Sequence, residues 1–190
     1  MKKVLLFLAE GFEEIEALTV VDVLRRASIT CDTCSIKDTE VTGAHGITVK
    51  ADKLIEDINK ADYDVVVLPG GMPGSTNLRD NEKVINIVKE FYSSGKLVSA
   101  ICAAPIVLAK AGILEDKKVT SYPGFQPELG ACSYSEELVV QDGNLLTSRG
   151  PATALYFAYK LVENIKGQEE AANLREGMLV NLLENNIKSM

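Results

Sequence analysis

Cys102 is the residue of this chain best placed for chemistry. It follows Lys96–Ile101, a short apolar run that reads as a buried strand, and precedes Ala103–Ala111, which reads as a helix. A strand that turns sharply into a helix exposes the residue at the turn. The helix end adds unpaired N–H groups and a positive dipole end, and both favour a thiolate. With the N–H of Gly71, those donors could also hold an oxyanion. The competing reading is a small core residue, because free cysteine is among the most buried side chains.

A nucleophilic cysteine needs a proton acceptor. His45 is the only histidine, it lies in a polar hairpin, and none follows Cys102. A Cys–His arrangement is therefore not expected. The alternative is a carboxyl. Glu10, Glu13, Glu14 and Glu16 cluster after the first strand. A carboxyl in an apolar pocket has a raised pKa and can carry a proton at neutral pH. With Ala17, Val20 and Leu24 as the inward stripe, Glu13 lies nearer its centre than Glu16, so periodicity does not choose one. A solvated acidic first turn explains Glu13 and Glu14 equally well.

The other cysteines are Cys31, Cys34 and Cys132. Cys31 and Cys34 fall in a β-branched run, where residues three apart point to opposite faces and cannot clasp one metal. They read as structural, as does Cys132. No metal or cofactor site is expected. Gly70, Gly71 and Gly74 do not make a dinucleotide fingerprint. Their loop is either a tight turn or a place where backbone must approach the nucleophile closely.

The elements that would position these groups alternate. Strands are expected at 2–9, 29–36, 64–68 and 96–101, with helices at 13–28, 82–92 and 103–111. Residues 40–50 read as a hairpin around Gly43–Gly46. Short strands follow at 119–122, 133–134, 138–141 and 145–147. Pro151 opens a helix to Ile165, and 169–185 forms another with a break at Gly177. This order predicts an α/β fold with a mostly parallel sheet covered on both faces. Ligands then bind beyond the carboxyl ends of the strands, where Glu10–Glu16, Pro69–Gly74 and Cys102 all fall.

With 190 residues the chain is expected to form one domain, residues 1–190, with a sizeable core. Its net charge of −7 argues against nucleic acid as a partner. The apolar run Val4–Ala9 is too short for a secretory signal or a membrane span, and Glu10 follows at once. A cytoplasmic location with reduced thiols is expected.

Four motifs in register carry a resemblance over nearly the whole chain. Ala9–Glu16 (AEGFEEIE), Val65–Gly71 (VVVLPGG), Ala100–Pro105 (AICAAP) and Thr147–Pro151 (TSRGP) resemble the ThiJ/PfpI superfamily. The likeness is greatest to the branch of the parkinsonism-associated deglycase and its bacterial relatives. The resemblance implies a flavodoxin-like three-layer sandwich and a homodimer, with the first helix and the hairpin around His45 as its surface. It implies that Cys102 is the reactive, oxidation-sensitive cysteine and Glu16 the protonated carboxyl that bonds its sulfur. Gly71 and Ala103 match the backbone donors facing that sulfur, and Glu13, Tyr122, Gly150 and Pro151 fall around the pocket. Three residues depart from the pattern. Ala104 stands where the family often has glycine. Tyr122 stands where close relatives have a pocket histidine. Ala103 stands where protease-like relatives have a histidine after the nucleophile, which argues against peptidase activity.

The expected activity is cofactor-independent conversion of small reactive dicarbonyls, such as methylglyoxal to lactate without glutathione. The substrate is the free aldehyde or an early glycation adduct on protein, and the role is defence against carbonyl and oxidative stress. The rival reading is a redox sensor whose Cys102 is oxidised to a sulfinate without turnover. A chaperone-like dimer is a third.

Overall fold

The computed structural model describes residues 2–188. Strand β1 (Lys3–Leu8) leads into helix α1 (Glu14–Arg26), and β2 (Thr30–Ser35) returns parallel to β1. A hairpin of β3 (Glu40–Thr42) and β4 (Thr48–Lys50) follows, then the two-residue strand β5 (Lys53–Leu54). Next come β6 (Val65–Leu68), α2 (Gly74–Arg79), α3 (Glu82–Ser93), β7 (Leu97–Ile101) and α4 (Pro105–Lys110). Strands β8 (Lys118–Val119) and β9 (Ser133–Tyr134) form a small pair of their own. The chain ends with β10 (Val139–Asp142), β11 (Leu145–Ser148), α5 (Ala154–Lys166), α6 (Gln168–Gly177) and α7 (Val180–Lys188).

The main sheet has seven strands in the order β10-β11-β7-β6-β1-β2-β5. Every pairing is parallel except β10 with β11. Parallel strands need crossovers, and crossover helices cover both faces. The central strands are accordingly apolar throughout: all of Val65–Leu68 is buried. Alternation along β1 sorts its side chains between two cores. Val4, Leu6 and Leu8 pack with α1 and α5, while Leu5 and Phe7 pack with α3 and α4. Cys31 and Cys34 obey the same rule and lie in opposite cores. Burial pushes both thiols up to about 12, which suits structural residues.

Three details differ from the sequence reading, and a fourth refines it. Helix α2 follows the Pro-Gly loop directly, and its opening glycine disguises it as more loop. Strand β5 is too short for alternation to register. Helix α4 starts at Pro105 rather than Ala103, because residues 102–104 form a turn in which the Ala104 N–H bonds Ile101 O at 3.0 Å. The expected break after Gly177 is present: α6 ends there, and the left-handed turn that completes it is at Leu179, whose φ is 62°. Among the described residues no helix is long and apolar enough to cross a membrane.

Leu6 is fully buried in the central strand β1. Leu6→Ala should lower the unfolding free energy by about 2–5 kcal/mol in urea denaturation, from lost burial plus a residual cavity.

Candidate active site

Cys102 occupies the first position after β7, and its φ of 65° is left-handed. A non-glycine residue rarely adopts that region, and it persists only where its surroundings enforce it. Two backbone hydrogen bonds do so here. The Cys102 N–H donates to Ser148 O at 3.0 Å, and the Cys102 carbonyl accepts the Tyr122 N–H at 2.8 Å. Ser148 ends β11, which lies next to β7 with Ser148 paired to Ile101. The Thr147–Pro151 motif thus braces the nucleophile. Thr147 Oγ1 takes the Thr120 N–H at 2.9 Å, and Thr153 Oγ1 takes the Gly150 N–H at 3.0 Å.

The structure sorts the four glutamates that periodicity could not. Glu10 accepts the Thr42 N–H of the hairpin at 3.1 Å. Glu14 accepts the N–H groups of His45 and Ile47, so it anchors the hairpin turn. Glu13 turns its carboxylate toward His45. Glu14 is buried under the hairpin, and Glu16 alone turns to the Gly70 loop and Cys102. Glu16 is 0% exposed, and its Oε2 accepts the Gly70 N–H at 2.8 Å. Its Oε1 is buried without a hydrogen-bond partner, and the Cys102 thiol is the side chain that interacts with this carboxyl.

Burial raises the Glu16 pKa to about 7; the Cys102 and Gly70 contacts oppose it, and the Glu13 charge adds to it. Burial likewise pushes the Cys102 thiol up. The Glu16 charge and hydrogen bond push it further, and the N–H groups of Ala103 and Gly71 pull it back. Protonating Glu16 removes the charge that opposes a thiolate. Cys102 and Glu16 therefore form one unit in which a carboxyl proton and a sulfur charge go together.

The Gly70–Gly71 loop serves close approach. A Cβ on Gly70 would lie 2.5 Å from Glu16 Oε2 and 2.6 Å from Cys102 Cβ. Gly71 has a φ of +91°, and a Cβ there would meet Glu13 N at 2.3 Å. Gly70 is a site residue that motif spacing alone did not distinguish from an ordinary turn glycine. Around the mouth, the half-exposed Tyr122 ring packs on Gly150, where an added Cβ would come within 3.2 Å of it. Pro151 begins the single 3₁₀ turn before α5. The structure thus brings Cys102, Glu16, Gly71 and Ala103 together, with Tyr122 and Gly150 beside them, and draws Glu13 toward the hairpin.

A mostly parallel α/β sheet covered by helices, with a strained cysteine against a buried carboxyl beyond its strand ends, defines a flavodoxin-like protein built around a thiol. The chain belongs to the DJ-1/PfpI family, whose sequence pattern it matches over residues 2–164. It is 40% identical to protein dj-1beta of Drosophila melanogaster over 183 residues, covering 94% of this chain and 97% of that protein. With the Parkinson disease protein 7 homolog of Danio rerio it shares 38% identity, covering 94% and 97%. The crystal structure of the Drosophila DJ-1beta superposes with a TM-score of 0.90, covering 94% of this chain and 98% of that one. The oxidized DJ-1 of Toxoplasma gondii also gives 0.90, at 38% identity and the same coverage. The family includes enzymes, and membership supports a stress-related role of DJ-1 type and is consistent with a homodimer.

A raised carboxyl pKa is a stability statement. The protonated form of Glu16 is favoured by folding, so its contribution is complete below about 4.5 and is lost as pH rises through about 7. Glu16→Gln keeps an acceptor for the Gly70 N–H and never ionises. Its stability relative to wild type should therefore rise by about 3 kcal/mol between pH 4.5 and pH 8. Chemical denaturation at both pH values checks this, and a constant difference contradicts a raised Glu16 pKa.

Proposed function

We propose that this protein is a cofactor-independent, single-domain cytoplasmic enzyme that converts reactive dicarbonyls such as methylglyoxal to 2-hydroxy acids. The pairing of a protonatable buried carboxyl with a braced thiol carries the reading. With the proton on Glu16, the Cys102 thiolate attacks the aldehyde carbon, and the Glu16 proton passes to the new alkoxide to give a hemithioacetal. Glu16 then removes the hydrogen on that carbon as a proton, and a proton returns at the neighbouring carbon. The former aldehyde carbon is oxidised and the former ketone carbon reduced, so no external redox agent is needed. Water hydrolyses the resulting 2-hydroxyacyl thioester, releasing lactate from methylglyoxal and freeing the sulfur. The Ala103 and Gly71 N–H groups support the charge on sulfur at the start and end of the cycle. Tyr122 stands where the family resemblance places an imidazole, so the proton transfers are assigned to Glu16. A glycation adduct on protein would enter through the same first steps.

A second reading is favoured by the solved relative described as oxidized. Cys102 would then be oxidised by peroxide to a sulfinate, gaining two oxygen atoms, without steady turnover.

The proposed homodimer buries the apolar residues that α1 and the hairpin leave uncovered. Ile15 is 56% and Ile47 is 54% exposed, and Leu18 lies on the same helix. A second copy is the partner that would cover such a face.

Lactate formation from methylglyoxal without glutathione tests the enzyme reading. Wild type should turn over, Cys102→Ser should be inactive, and Glu16→Gln should lose about 10²–10⁴ in kcat. Full turnover by Cys102→Ser would sink the mechanism, and no lactate from wild type would favour the sensor. For the dimer, Ile15→Asp should halve the mass measured by light scattering after gel filtration. An unchanged dimer would place the interface elsewhere.

A further inference from the structure

Beside the Cys102–Glu16 pair lies a second cluster that the proposed reaction does not use. Glu13, Glu14 and His45 each present one ligating atom, and these three atoms lie within 4.8 Å of one another. His45 Nδ1 is 3.0 Å from Glu14 Oε2 and 3.5 Å from Glu13 Oε2. Ligands held about 2.0–2.2 Å from a zinc ion sit roughly 3.0–3.6 Å apart, so both spacings suit a shared cation. The sequence distance between Glu14 and His45 hides the cluster, because only the fold of the hairpin onto α1 assembles it.

Three observations set this cluster apart from an ordinary acidic helix start. First, the donor set is mixed, with an imidazole nitrogen facing both carboxylates. Second, Glu14 is held from behind. Its Oε1 accepts the backbone N–H groups of His45 at 2.8 Å and Ile47 at 3.3 Å, leaving Oε2 on the side of the ring. Gly43 makes room for it, since a Cβ there would lie 2.3 Å from the Glu14 carboxyl carbon. Bonds of this kind, made behind a ligand, fix its orientation in metal sites. Third, the two carboxylates are sheltered while the ring stands open. The Glu13 and Glu14 side chains are only 12% and 5% exposed, whereas the His45 ring is 69% exposed. Among the described residues, His45 is the side-chain cation within ion-pair distance of the two carboxylates, and it is a cation only when protonated.

We propose that Glu13 Oε2, Glu14 Oε2 and His45 Nδ1 form a divalent-metal site. One imidazole and two carboxylates suit zinc, a borderline cation that accepts nitrogen and oxygen together, better than the oxygen-seeking magnesium or calcium. The ion would fasten the hairpin to the first turn of α1. This site is independent of the dicarbonyl reading and stands or falls separately from it.

Zinc titration by calorimetry at pH 7.5 tests the site in the full chain. The Cys102→Ser/Cys132→Ser background removes the two thiols that are not fully buried, so they cannot supply the binding. One zinc per chain should bind with micromolar or tighter affinity. Adding His45→Ala or Glu13→Gln to that background should weaken binding at least about tenfold. His45 is exposed in the single chain, so its variant should stay folded; circular dichroism verifies the fold and light scattering the assembly state. In the same background, copper(II) should show nitrogen coupling in its electron paramagnetic resonance spectrum that His45→Ala removes. No zinc binding, binding only at millimolar metal, or binding unchanged by His45→Ala would each overturn the proposal.

Discussion

The structure depends on keeping a carboxyl where water cannot reach it. Glu16 lies in the first turn of a helix, 0% exposed, with a single backbone N–H for a partner and a thiol alongside. An ionised carboxylate there is costly, so the site holds a proton up to about pH 7. The neighbouring features follow from that constraint. Gly70 must lack a side chain because the carboxyl and the cysteine fill its space. Cys102 must take a left-handed turn to bring its sulfur back toward the loop.

The fold supplies the rigidity this arrangement requires. Four parallel strands, β11, β7, β6 and β1, stand side by side and deliver their carboxyl ends to one edge. The loop after β1 carries Glu16 into α1, the loop after β6 carries Gly70 and Gly71, β7 carries Cys102, and β11 carries the Ser148 carbonyl that fixes it. Cross-bonds then lock loop to loop: the Glu13 N–H donates to Gly70 O at 2.9 Å, and the Gly74 N–H to Gly11 O at 3.2 Å. Strain at Cys102 is sustained because two close-packed apolar layers stand behind it, with Ile101 in one core and Ala100 in the other.

Much of this was legible in the residues. The Val65–Leu68 run announced a central strand, and the rule of alternating faces placed Cys31 and Cys34 apart, as the two cores confirm. Cys102 was marked by its place between a strand and a helix. The choice of Glu16 was not legible from periodicity, because a helical wheel ranks positions by angle and Glu13 sits nearer the apolar stripe. Loop contacts decide it: the hairpin engages Glu10, Glu13 and Glu14, and the Gly70 loop takes Glu16 alone. Helix α2 and strand β5 were hidden by an opening glycine and by brevity. His45 looked like an isolated hairpin residue, since nothing local relates it to carboxylates 31 positions and more earlier in the chain. The approach of its Nδ1 to within 3.0 Å of Glu14 Oε2 is a product of the fold.

The protonation state of Glu16 is the claim on which the rest turns. It can be read directly by following the side-chain carboxyl carbon of Glu16 by nuclear magnetic resonance across a pH titration, assigned with Glu16→Gln. The expected result is a carboxyl that keeps its proton until pH about 7, far above the ordinary glutamate range. A Glu16 that titrates near pH 4.5, like a solvated glutamate, would contradict it.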